Sequence, residues 1–206
     1  MIDPYRLLPT PALVTRVVNA HEEEFPYDRL NYAAARAVVD QFRSNRRYDH
    51  IRVKVDVVNG IFKTSIKDTF GVARCIHEQV VRVDQRLAKG DTSLVAEIAR
   101  YESRAGVFRT NYSFATKYCH CHEPELFPIY DQFVVKSLCQ YRMSPGFDFF
   151  TKKGLKSYQT FHHVLMAFRD VYGIRRIGGA KIDRFLWAMG KYGQSPHLQR
   201  VFRICS

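Results

Sequence analysis

Ser113-Phe-Ala-Thr-Lys-Tyr-Cys-His-Cys-His-Glu-Pro-Glu-Leu-Phe-Pro-Ile-Tyr-Asp131-Gln-Phe-Val134 is the stretch from which the rest of the chain is best understood. Residues from Ser113 to His120 suit a helix that must end before Pro124, because proline lacks the N–H a helix needs and restricts the residue before it. A further helix is expected from Tyr130 to Gln140, after Pro128. Asp131 then falls at the start of that helix, where unpaired N–H groups and the positive end of the dipole favour a carboxylate and keep it ionised at neutral pH. Such an acid is either an ordinary helix cap or a carboxylate held for chemistry, and spacing alone leaves both open.

Outward from this stretch the pattern is helix after helix, and the expected fold class is all-α. Tyr32 to Arg43 combines good helix formers with apolar residues three and four apart, and Ser65 to Arg86 continues that periodicity. Ile51-Arg-Val-Lys-Val-Asp-Val-Val58 alternates like a strand but is read as a helix with a buried β-branched face, running into Asn59-Gly60. Asp91 opens a helix after Lys89-Gly90, and Gly106 separates it from the next segment. Met143 to Gly154 reads as an ordered aromatic loop, followed by two helices near Leu155–Tyr172 and Ala180–Lys191.

The 206 residues suffice for a single globular unit with a sizeable core. Thirty-two Lys and Arg against 20 Asp and Glu give a formal net charge of +12, which points to a polyanionic partner, nucleic acid first. The cations gather at Arg43, Arg46, Arg47, Arg52 and Lys54, and again at Lys152, Lys153, Lys156, Arg175, Arg176, Lys181 and Arg184. That distribution suits a folded basic face. The chain has no apolar run of membrane-spanning length and no signal-peptide layout at its start, so a soluble, cytoplasmic protein with no membrane partner is expected. Cys75, Cys119, Cys121, Cys139 and Cys205 are an odd number without framework spacing and read as reduced thiols, Cys75 and Cys139 as small core residues. Cys119-His-Cys-His122 has the wrong spacing for a structural zinc site and lacks a second ligand pair, so no metal and no cofactor are expected.

The segment from Ala115 to Asp131 resembles the heart of the helix-hairpin-helix DNA glycosylase superfamily. There, a helix that begins near a small Ala is followed by a loop ending apolar-Pro-apolar-apolar-Asp, with Ala and Asp sixteen positions apart; Ala115, Phe127-Pro-Ile-Tyr130 and Asp131 keep this arrangement. Val55-Asp-Val-Val-Asn-Gly-Ile-Phe-Lys-Thr-Ser-Ile66 is similar to the family's early helix and turn, whose polar residues press into DNA. The resemblance implies two helical lobes, a central one over about residues 50–134 and a second from about 1–49 plus 135–206, with the active cleft between them. It also implies double-stranded DNA as substrate and a monomer.

Two departures qualify the resemblance. Val107-Phe-Arg-Thr-Asn111 stands where the family carries its Gly-rich hairpin, so Arg109 would supply charge in place of the glycine backbone and Asn111 would tolerate its left-handed conformation. Ser113 stands where strand-cleaving members carry a nucleophilic Lys, and Lys117 is out of register. A monofunctional glycosylase that leaves an abasic site is therefore implied.

Chemistry independent of ancestry agrees with that role. Breaking a nucleoside C–N bond develops positive charge on the sugar, which a fixed carboxylate stabilises while orienting water; Asp131 is the catalytic candidate. A base within a duplex must first be flipped out and the gap filled. Asn59 and then Thr64 are the gap-filling or pocket candidates, with Phe62, Tyr112 and Tyr130 as aromatic walls. Asn59-Gly60 reads equally well as a plain turn. Backbone contacts are assigned to Arg109, Asn111, Ser113 and Lys117, and to Gly179 and Lys181, where Gly178-Gly179 opens a helix able to hold a phosphate. The competing readings are a non-catalytic DNA- or RNA-binding module on the same scaffold and a nuclease toxin. The target base is open, and defence against modified phage DNA is one role the compact chain with its altered hairpin would suit.

Overall fold

The computed structural model describes residues 2–143 and 146–205, the side chain of Cys205 excepted. In chain order the described elements are α1 (Pro11–Glu24), α2 (Pro26–Gln41), α3 (Tyr48–Phe62), α4 (Thr69–Glu78), α5 (Val83–Ala88), α6 (Ser93–Ala99), β1 (Arg100–Glu102), β2 (Phe108–Thr110), α7 (Tyr112–His122), α8 (Gln132–Tyr141), α9 (Tyr158–Val171), α10 (Gly179–Tyr192) and α11 (Pro196–Cys205). The chain is thus mostly helical, with one antiparallel two-stranded sheet among the described residues.

Two compact units divide it, one of residues 30–129 and one of residues 1–29 with 130–206. Sequence reading set the lobe boundaries near residues 49 and 134. The turn after α2 joins the middle unit because Lys54 and Asp84 bind it, and α2 joins because Arg36 donates to the carbonyls of Cys121 and His122 at 2.9 and 3.3 Å. A guanidinium suits that place, where the last carbonyls of α7 carry the negative end of the dipole.

In the middle unit α7 is buried along nearly its whole length, from Phe114 to His122. It packs against α6 and α3. The β-branched run of α3 forms a helix because Ile51, Val55 and Val58 recur on one turn-spaced stripe and are fully buried. Asn59-Gly60 lies inside the last turn of α3 rather than in a turn; the chain leaves the helix at Lys63, which adopts φ 50°.

The expected continuous helix from Ser65 to Arg86 is two helices, broken at residues 79–82 where Arg82 takes φ 54°. Asp68 caps α4 by accepting from Gly71 N, and Arg86 links α5 to α6 by bridging Asp91 and Glu97. Asp91 accepts from Ser93 N at 3.0 Å, which agrees with a helix start there. Sequence reading missed the hairpin of β1 and β2, because three-residue strands carry too little alternation to be seen.

The other unit joins both chain ends, with Ile2 and Gln199 exchanging hydrogen bonds of 2.8 and 2.9 Å. α8 and α10 approach so closely that a Cβ on Gly190 would sit 2.1 Å from the Phe133 carbonyl oxygen. Ser137 Oγ donates to Leu186 O across the same contact. Phe147 and Phe150 of the aromatic loop are buried, with Phe147 against Phe168 and Tyr172, while Ser144 and Pro145 of that loop lie outside the described residues. After α9 and α10 the unit has a third helix, α11, which the expected pair omitted.

Candidate functional site

Asp131 is the N-cap of α8. Buried Phe127 and Pro128 precede it, and extended backbone at φ −133° and ψ 149° turns its side chain back over the first turn. Oδ1 accepts from Phe133 N at 2.8 Å. Oδ2 has no hydrogen bond among the described residues, and the side chain is half-buried. One oxygen is therefore spent on the helix and one remains for solvent or a ligand. Tyr130 beside it stands edge-on to Phe161, their ring centres 5.3 Å apart, and burial raises its hydroxyl pKa.

The candidates in the middle unit fall into two groups. Asn59 and Thr64 touch each other: Asn59 Oδ1 accepts from Thr64 Oγ1 at 2.8 Å and from Ile66 N at 2.9 Å, while Nδ2 donates to Ile66 O. This amide closes the loop after α3. Phe62 nearby is half-buried and faces Tyr32 edge-on. Around the start of α7, Asn111 is the N-cap, and its buried Nδ2 meets no acceptor among the described residues. Tyr112 is half-buried and Ser113 exposed, while Lys117 is buried and donates to Ser113 Oγ at 2.6 Å. Arg109 stands fully exposed on β2.

Gly179 is the buried first residue of α10, and Lys181 donates to Thr15 Oγ1 at 3.1 Å.

The expected basic faces need correction. Arg43 pairs with Asp40 and Glu123, Arg47 with Asp49, and Arg52 with Asp56; Arg175 pairs with Asp170 and Arg184 with Glu22. Lys54, counted with the first group, is 0% exposed.

That buried lysine anchors a polar cluster which sequence reasoning missed. Its Nζ donates to Asn45 Oδ1 at 2.7 Å and to the carbonyls of Ser44 and Arg43 at 3.3 and 3.5 Å, and lies 3.3 Å from His122 Nε2. Tyr118 donates to the same Asn45 oxygen, and Asp84 accepts from the Asn45 backbone and amide. Loss of hydration pushes the Lys54 ammonium down to about 7, opposed only by the Asp84 charge. Burial, with Lys54, Arg43 and Arg36 nearby, holds His122 neutral, its pKa well below the usual histidine value. The only available signal was a lysine at helical spacing within an apolar stripe.

The Cys119–His122 run is buried and engaged separately. His120 Nδ1 lies 2.7 Å from Phe127 O, His122 faces Lys54, and burial raises both thiols, Cys121 to about 12. No group of three potential metal ligands occurs among the described residues. Cys75 is buried as expected, while Cys139 is only half-buried. Cys205 lies outside the described side chains.

A family model, HI_0787_N, described as an N-terminal domain, matches residues 14–126, more than half of the chain. This chain belongs to that family. The match runs from α1 through α7, so the Lys54 cluster and the hairpin lie within the HI_0787_N region and Asp131 lies beyond it. A protein of Haemophilus influenzae described as uncharacterized is 35% identical over 137 residues, which are 66% of this chain and 64% of that protein. The chain therefore spans less than two thirds of that relative's length. No solved structure matches. No helix among the described residues is long and apolar enough to cross a membrane.

Proposed function

We propose that this protein is a monofunctional DNA glycosylase of the helix-hairpin-helix type, which flips a modified base from double-stranded DNA and hydrolyses its N-glycosidic bond. The observation that carries the reading is Asp131: a carboxylate fixed by its own helix terminus through one oxygen, with the other unengaged, sixteen residues after the buried Ala115. The mostly helical fold and the net charge of +12 support it. In this mechanism the C1′–N bond breaks and the base departs with the bonding electrons, later taking up a proton. Asp131 stabilises the cationic sugar and aligns water, whose oxygen bonds to C1′. Ser113 offers no amine for a Schiff base, so an abasic site remains. The protein would act as a cytoplasmic monomer, with modified phage DNA among its substrates.

The test is incubation with a panel of modified DNAs, hypermodified phage DNA included, with assay of free base and abasic sites. Asp131→Asn retains an oxygen for Phe133 N–H and loses only the charge, so base release should fall by at least about a hundredfold while folding and DNA binding persist. Release of no base from any substrate would overturn the reading. A non-catalytic DNA- or RNA-binding module is the second reading, favoured by Asn59, whose amide is fully spent on its own loop.

A further inference from the structure

The hairpin of β1 and β2 projects from the middle unit with an outer strand that serves no core. Cross-strand register pairs Arg100 with Thr110, Tyr101 with Arg109 and Glu102 with Phe108. Because successive side chains alternate between faces, Tyr101 points inward, where it is buried, and Arg100 and Phe108 share the opposite face. All three residues of β2 are exposed: Phe108 is 63% accessible, and Val107 before it 47%. Nothing in the packing calls for a phenylalanine there.

The hairpin is nevertheless well anchored. Two isolated strands are marginal in water, yet this pair is tied down at both ends: Asn111 N donates to Ala99 O at 2.8 Å, and at the turn Arg104 N donates to Asp68 Oδ2 at 2.8 Å. Burial would raise the Asp68 carboxyl, but the Arg104 and Gly71 N–H bonds and the Arg104 charge outweigh it and hold the pKa down.

Two arginines lie over aromatic rings on this element. Arg100 is 5.0 Å from the Phe108 ring centre and Arg104 is 5.6 Å from that of Phe70, itself 39% exposed. Arg104 is ion-paired with Asp68, whereas Arg100 and Arg109 have no carboxylate partner among the described residues. Flat rings, guanidinium planes and unpaired positive charge, displayed together on an ordered projection, suit stacking bases beside a phosphate backbone.

We infer that the β1–β2 hairpin is a docking surface for nucleic-acid strand with unpaired bases, Phe108 stacking a base and Arg100 and Arg109 holding the adjacent phosphates. This rests on the proposed DNA partner and gives that partner a structural class: strand unstacked or single-stranded next to the site of action. An apolar protein partner would use Val107 and Phe108 and leave the two unpaired cations without a role.

The experiment is fluorescence anisotropy of the full chain with a short fluorescein-labelled single strand and its duplex, at low and physiological salt. Wild type should prefer the single strand. Phe108→Ala should weaken single-strand binding about tenfold and change duplex binding little, a stack being worth roughly 1–3 kcal/mol per base. Arg109→Gln should weaken both and flatten the logarithmic salt slope by about 0.7–0.9. Unchanged single-strand affinity in Phe108→Ala, or no nucleic-acid binding by wild type, overturns the inference. Loss of single-strand affinity in Phe108→Ala, without base release by wild type from any DNA, would uphold the inference and sink the glycosylase reading. Base release with strand affinity unaffected by Phe108→Ala would do the reverse.

Discussion

Replacing Lys54 by Met should flatten the dependence of stability on pH just above neutrality. In the folded chain burial pushes the ammonium down to about 7, against about 10.4 for an unfolded lysine. Below about pH 7 both states carry the proton, and the fold bears the full cost of the buried charge. Between the two values the unfolded chain binds a proton that the native chain has released, so stability rises with pH by about 1.4 kcal/mol per unit. From about pH 7 to 8.5 the gain is about 2 kcal/mol. Beyond that, thiols begin to ionise in the unfolded chain while burial keeps Cys119 and Cys121 protonated in the native one, which opposes the rise. The groups facing Lys54 do not titrate in the window: His122 is held neutral, Tyr118 is raised well above 10.0, and Asp84 is a carboxylate. Urea unfolding followed by circular dichroism across this range measures the slope. A flat wild-type profile would refute the reasoning, because it would mean that Asn45 Oδ1 and the Ser44 and Arg43 carbonyls keep the ammonium charged in spite of its burial.

Gly190→Ala should destabilise the unit containing α8 and α10 by about 3 kcal/mol, because the new methyl meets backbone at Phe133 rather than a movable side chain. Thermal unfolding should show a midpoint lowered by about 6–12 °C. Asn59→Ala should cost about 2 kcal/mol by stranding Ile66 N–H and C=O, read by urea unfolding, and a loss of base release larger than that stability change would mark Asn59 as a substrate contact as well.

The sequence made the helical class legible because its apolar residues recur at helical spacing: Ile51, Val55 and Val58 outvoted the strand-like alternation around them. What it concealed follows from physics that acts across sequence distance. Lys54 looked like one more surface cation, and only the acceptors offered by residues 43–45, together with His122, make its burial tolerable. The apparent surplus of charge around Arg43 to Arg52 disappears once Asp40, Asp49, Asp56 and Glu123 are seen beside it. The break at Arg82 and the exit at Lys63 both use left-handed backbone at non-glycine residues, for which composition gives no warning.

Unspent hydrogen-bonding capacity separates the candidate residues better than sequence position does. Asn59 has used both ends of its amide on the loop after α3, so contact with a base would require that loop to open and strand Ile66. Asp131 has used one oxygen, and the bond it makes restrains the side chain without occupying the other. A carboxylate that served only as a cap would tolerate Asn with no consequence, because Asn caps a helix as well as Asp does. Charge is the one property that capping does not need and glycosidic hydrolysis does. Asp131→Asn therefore isolates the chemical role from the structural one, and comparison with Asp131→Ala, which should cost about 1 kcal/mol of stability, shows how much of the residue belongs to the fold.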